Sequence, residues 1–200
     1  HADHVRGLPG VLRGRRVDVI EATGVRDPPE QAEFVSRAAV QAGVPVVTAQ
    51  PGEQRGIGAE LHWEVLWPPD GPDRAGLAAN DASVTLLLRT GGLTVFLPGD
   101  LEPAAQRRLL ATRPDLPRVD VLKVPHHGSA AQEPELFARL APRLALVSCG
   151  EDNGYGHPAP RTLAALAEVG ATVLRTDTDG ALAIGPGPQG PRATVRHRPG

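Results

Sequence analysis

Residues 83–100 read SVTLLLRTGGLTVFLPGD. Ser83 to Thr90 and Leu93 to Leu97 are rich in Leu, Val, Thr and Phe, and Gly91-Gly92 separates them. Branched and aromatic side chains fit a pleated surface, and Gly-Gly accepts the positive φ angles of a tight two-residue turn. The stretch therefore reads as a β-hairpin. Its second strand runs directly into Pro98-Gly99-Asp100, which sets a carboxylate at a strand end. A helix follows, with Pro103 in its first turn and Arg107 and Arg108 near its end.

The same pattern repeats downstream. Val119 to Val124 reads as a strand that enters Pro125-His126-His127-Gly128-Ser129, and Leu144 to Ser148 reads as a strand followed by the loop Cys149 to His157. Glu133 to Leu140 and Pro160 to Val169 read as helices, the second stopped by Gly170. Upstream, Val17 to Ile20 and Val44 to Ala49 read as strands around a helix over Gln31 to Ala42 that Gly43 ends. Glu60 to Trp67 is extended and stopped by Pro68-Pro69, and residues 70–79 read as a loop. Thr172 to Thr176 and Ala181 to Ile184 form a final pair of strands. Interleaved strands and helices with one hairpin predict an α/β fold with mixed sheets. The polar loops 98–100, 125–129 and 150–158 all follow strands, so their side chains can converge at one sheet edge.

Composition narrows the function classes. The 200 residues are 40% hydrophobic and 22% charged, a globular balance with enough chain for a core. No apolar run approaches the roughly 20 residues of a membrane span. The net charge of −2 gives no support to a dedicated nucleic-acid binder. The single Cys149 excludes an internal disulfide and a Cys-based zinc site, and reads as a small apolar residue.

The chain begins His1-Ala2-Asp3-His4, a dense set of ligands for a borderline divalent ion such as zinc or manganese. Residues so close cannot all reach one ion from a regular helix or strand, so a tight loop is expected. Asp100, His126, His127 and His157 are the partners such a loop needs.

Together these motifs resemble the metallo-β-lactamase superfamily of αββα hydrolases, most closely the C-terminal domain of ComEC-type DNA-uptake (competence) proteins. The resemblance is carried by His1-Ala2-Asp3-His4, Asn80-Asp81-Ala82-Ser83, Leu97-Pro98-Gly99-Asp100, Lys123 to Ser129 and Tyr155-Gly156-His157-Pro158. The superfamily's leading motif is HxHxDH, which makes His1 its second His. The resemblance thus implies a sandwich lacking its first strands, with a partial hydrolase domain over residues 1–185 and a Pro/Gly-rich tail over 186–200, partly loose, in which 193–196 could add an edge strand. It implies up to two divalent ions, zinc or manganese. His1 would belong to the first site, Asp3 and His4 to the second, Asp100 would bridge, and His157 would complete the second. Many relatives carry a further His where this chain has Asn80 to Ser83, so the first site is short of ligands.

The resemblance further implies a metal-dependent nuclease, with Asp3, His126 and His127 in catalytic roles. One of the two His would protonate the leaving oxygen or bind phosphate. Single-stranded DNA would be the substrate, its non-transported strand degraded, and a membrane channel the partner. The domain would be soluble, on the external face of a bacterial inner membrane. Competing readings are another hydrolase of this fold acting on small substrates, and a degenerate domain that binds DNA without cleaving it. Ser129 is a possible phosphate contact, and Lys123 and Arg161 are possible electrostatic helpers. Asp100 alone would also suit a helix N-cap. His62 and His197 read as structural or solvated, Trp63 and Trp67 as packing on one strand face, and Arg13 to Arg16 as solvated surface.

Overall fold

A computed structural model describes residues 1–196. Its centre is a mixed sheet of seven strands in the order β3-β4-β5-β6-β7-β8-β9. These are β3 (Gln54–Ile57), β4 (Leu61–Trp67), β5 (Thr85–Thr90), β6 (Leu93–Leu97), β7 (Val121–Lys123), β8 (Leu144–Val147) and β9 (Thr172–Arg175). Strands β3 to β6 are antiparallel neighbours, and β6 to β9 run parallel. The expected hairpin is β5–β6, closed by the pair Thr90 and Leu93, with φ of 54° at Gly91 and 77° at Gly92. Helices α5 (Pro103–Thr112), α6 (Pro134–Leu140) and α7 (Pro160–Glu168) make the crossovers between the parallel strands, as parallel pairing requires.

These helices cover one face of the sheet. Leu109 of α5, Leu136, Phe137 and Leu140 of α6 and Leu166 of α7 pack with Leu87, Phe96, Leu122, Ala145 and Val147 from the strands. The other face carries the cross-strand pairs Leu86–Leu97 and Leu88–Val95, all half-buried. A bulge between Val65 and Trp67 breaks the alternation of β4, so Val65, Leu66 and Trp67 are all buried. The even spacing of Trp63 and Trp67 therefore does not put them in equivalent settings. Trp67 lies in the core with its indole N–H donating to the Asp81 carbonyl, while Trp63 is half-buried.

The N-terminal quarter is separate from this sheet. Helical turns α1 (Ala2–Val5) and α2 (Leu8–Leu12) precede β1 (Ile20–Ala22), α3 (Pro29–Ala42) and β2 (Val46–Thr48). β1 and β2 form their own parallel pair, and Gly43 ends α3 at a φ of 65° as its position predicts. Two expectations change here. The loop over 70–79 contains one helical turn, α4 (Pro72–Ala75), and His1 to His4 enter a helical turn instead of a loop.

The C-terminal expectation also changes. β9 pairs with β8, and after the turn α8 (Thr176–Asp179), β10 (Ala181–Gly187) pairs with β11 (Gly190–Arg196) in a hairpin of its own. The expected boundary at Gly185 thus falls inside a strand. The strand at 181–184 and the edge strand at 193–196 are both present and pair with each other, and the ladder extends through the Pro/Gly-rich stretch between them, with Pro186 opposite Pro191 near the tip. Residues 197–200, with His197, lie outside the described residues.

Candidate metal centre

Three strand-end loops and α1 meet at the carboxyl ends of β6, β7 and β8. Asp3, His4, Asp100 and His127 each offer a ligand atom there, all within 4.8 Å of one another. His4 Nε2 lies 3.0 Å from Asp100 Oδ2 and 3.4 Å from Asp3 Oδ2. His127 Nε2 lies 3.1 Å from Asp3 Oδ2, 3.4 Å from Asp100 Oδ2 and 3.3 Å from His4 Nε2. A tetrahedral ion with bonds of about 2.0–2.1 Å separates its ligand atoms by about 3.3–3.4 Å. The donor set and its spacing both fit a divalent ion.

The tautomer of His127 adds to this fit. Its Nδ1 lies 2.6 Å from the Ser148 carbonyl and must donate there. Nε2 then faces two carboxylate oxygens, which it can meet as a protonated donor or, with the ring neutral, through a cation bound between them. Burial works against ionisation of Asp100, but hydrogen bonds from His127 and His4 and the charge of Lys123 outweigh it and hold its carboxyl well below the ordinary range. Hydrogen bonding to Asp100 raises the pKa of His127 against the effect of burial. A proton and a metal ion thus compete for the same lone pair.

The backbone is strained where it presents these imidazoles. His126 and His127 take φ of 45° and 52°, and Gly128 follows at 79°. Left-handed geometry costs a non-glycine residue about 1–2 kcal/mol. It is held by the His126 amide donating to Gly99 O and the Ala159 amide donating to Gly128 O, and it aims the two rings apart. His127 enters the ligand group. His126 lies with its Nδ1 3.5 Å from Glu102 Oε1 and its ring centroid 5.7 Å from that of His157.

The Asn80 to Ser83 segment ties down the Asp100 loop. Ser83 Oγ accepts the Asp100 amide at 2.9 Å, and Asp81 Oδ1 accepts the Glu102 amide at 3.1 Å. Asn80 Nδ2 donates to Glu102 Oε1 at 2.9 Å. Gly99 has a φ of 62°, and a Cβ there would lie 2.6 Å from the Ser83 Cβ.

Of the residues expected to bind metal, Asp3, His4 and Asp100 come together, joined by His127, which had been assigned a catalytic role. His1 is exposed at the N-cap of α1 and outside the group. His157 is outside it too. Its amide donates to Asn153 Oδ1, its ring stacks on Tyr155 at 6.0 Å, and its Nδ1 is buried without a partner. Burial, then the charges of His126 and His127, lower its pKa. The left-handed turn carries His127 into the group. Ser129 is buried and its hydroxyl donates to Ala131 O, so its side chain is not open to a phosphate. His62 is exposed and contacts Ala59 O.

Sequence reading missed Glu102, the anchoring roles of Asp81 and Ser83, and the Ser148 carbonyl. Asp81 and Ser83 were visible as polar residues before a strand. A backbone carbonyl carries no sequence signal.

The chain is similar to bacterial competence proteins. It is 34% identical over 183 residues to ComE operon protein 3 of Bacillus subtilis (strain 168), an alignment covering 90% of this chain and 23% of that protein. It is 30% identical over 142 residues to competence protein ComA of Neisseria gonorrhoeae, covering 70% of this chain and 20% of the relative. Recombination protein 2 of Haemophilus influenzae is 30% identical over 125 residues, 62% of this chain and 15% of that protein. The chain thus spans less than a quarter of the length of these relatives. No family model matches it. Among the described residues no helix is long and apolar enough to cross a membrane.

Proposed function

We propose that the chain is a metal-dependent phosphodiester hydrolase, a nuclease domain that acts on DNA during competence. The observation that carries this reading is the group of Asp3, His4, Asp100 and His127, spaced as ligands of one divalent ion. The similarity to a protein named for competence supports DNA as the substrate class. In this reading the domain degrades the non-transported single strand, on the external face of the membrane, beside a channel formed elsewhere in a longer protein.

A bound zinc or manganese ion would polarise a phosphodiester and lower the pKa of a water toward 7. Asp3, His4, Asp100 and His127 would hold it. Asp3 is 57% exposed and Asp100 6%, so the centre opens to substrate on the Asp3 side and is closed behind Asp100. His126 lies outside the ligand group with Nδ1 facing Glu102, and in this reading it gives a proton to the leaving oxygen. His157, whose ring lies beside that of His126, would offer a hydrogen bond to a phosphate oxygen.

The test is cleavage of a single-stranded oligonucleotide with added Mn²⁺ or Zn²⁺. Cleavage should disappear with EDTA and with Asp100→Ala. With His126→Ala it should fall about 10²–10⁴-fold. An intact oligonucleotide in the presence of metal-loaded protein would refute the reading.

A further inference from the structure

Aromatic side chains are scarce in this chain: three Phe, two Trp and one Tyr. Trp67, Phe96 and Phe137 are buried in the core, and Phe34 and Trp63 are half-buried. Tyr155 differs from all of them, because it is 85% exposed. A single apolar side chain at a surface is ordinary, so the setting of this one decides its meaning.

Tyr155 stacks on His157, with ring centroids 6.0 Å apart and planes 25° from parallel. The His157 ring lies 5.7 Å from that of His126, which lies 6.4 Å from that of His127. A row of rings thus leads from the ligand group out to Tyr155. Asn153 ties the loop down. Its Oδ1 accepts the His157 amide at 3.0 Å, and its Nδ2 donates to the Gly150 and His157 carbonyls at 2.9 and 2.8 Å. The chain neighbours Gly154 and Gly156 have no side chain to cover the ring. His157 backs one face, and the other is open to solvent.

We propose that Tyr155 is a stacking platform for a nucleobase of single-stranded DNA, beside the phosphate held at the centre. This rests on the nuclease reading above. The residues around the ring favour a base over other occupants. Glu151 and Asp152 are exposed on the same loop and would repel a phosphate or an anionic membrane surface. An apolar protein surface would find no apolar side chain adjacent to Tyr155 in the loop. An uncharged base needs only a free π-face. A paired strand keeps its bases inside the duplex stack, so the ring selects single strands.

The experiment is binding of a fluorescein-labelled oligothymidylate by anisotropy, with Ca²⁺ in place of Mn²⁺ so that the strand is not cut. Tyr155→Ala should bind about 5–150-fold more weakly than wild type. Tyr155→Phe, which keeps the π-face, should stay within about threefold. Tyr155→Leu, which keeps apolar area without a π-face, should lose nearly as much as alanine. Circular dichroism of each variant should match wild type, as the ring is exposed. A duplex closed at both ends by loops should bind wild type and Tyr155→Ala equally. A strand of abasic nucleotides should lose less affinity with Tyr155→Ala than with wild type, since the ring has no base to meet. Unchanged affinity in Tyr155→Ala, full affinity in Tyr155→Leu, or an equal loss on the closed duplex would overturn the proposal while leaving the nuclease reading in place. A wild type that binds no single strand at all would overturn both.

Discussion

Gly99→Ala should damage the centre without touching a ligand. The new Cβ would lie 2.6 Å from Ser83 Cβ and 2.7 Å from Ser83 Oγ, at a φ of 62°. The left-handed backbone costs about 1–2 kcal/mol for alanine. Forcing two carbons apart in packed surroundings adds about 1–3 kcal/mol. Moving Ser83 also strains its hydrogen bond from the Asp100 amide, now 2.9 Å. A loss of about 2–5 kcal/mol in urea unfolding is expected, with weaker Mn²⁺ binding because Asp100 follows that amide. Ser83→Gly alone removes the hydrogen bond and should cost about 1 kcal/mol from that source, with some further loss from the added backbone freedom. In the double variant Gly99→Ala/Ser83→Gly the clash has no partner. It should be more stable than the two single losses predict by about 1–3 kcal/mol, the steric part. Additive losses within about 0.5 kcal/mol would refute the claim that Gly99 is required by its contact with Ser83.

Three further outcomes follow from other parts of the molecule. Asp177 has a pKa held down to about 2 by its hydrogen bond with Arg175, against about 3.9 in an unfolded chain. A lowered folded pKa stabilises above the unfolded value, so the advantage of wild type over Asp177→Asn should be full above about pH 4 and vanish as pH falls toward 2; an advantage unchanged at pH 2, by thermal unfolding, would contradict this. The Cys149 thiol is pushed up to about 11, by burial and then by Asp177. Its thiolate at pH 8 is on the order of 10²-fold scarcer than for an ordinary cysteine, and alkylation of folded protein should be slower by a similar factor than in urea, whereas equal rates would show an open thiol. Finally, His127→Ala should weaken Mn²⁺ binding at least tenfold in calorimetry, while His157→Ala should leave it within about threefold. The reverse order would return His157 to the ligand set.

The fold was readable wherever local chemistry and tertiary structure agree. Gly91-Gly92 closed its hairpin, Gly43 ended its helix, and each polar loop after a strand reached the same sheet edge. It was unreadable where long-range context decides. The bulge in β4, the short β3 and the pairing of β10 with β11 depend on partners distant in sequence or on a Pro/Gly-rich stretch with little apolar pattern. At the site, Asp3, His4 and Asp100 could be picked out by residue type and order. That His127 lies beside them depends on two consecutive left-handed residues, a backbone state that a His-His pair does not announce. The pairing of Lys123 with Asp100 needed the parallel register of β6 and β7, which sets the two strand ends side by side.

The most direct test of the account is anomalous diffraction from crystals soaked in Zn²⁺ or Mn²⁺. The account predicts a peak bonded to Asp3 Oδ2, His4 Nε2, Asp100 Oδ2 and His127 Nε2, at about 2.0–2.2 Å for zinc. A peak that excludes His127, or no peak between these four atoms at saturating metal, would contradict it.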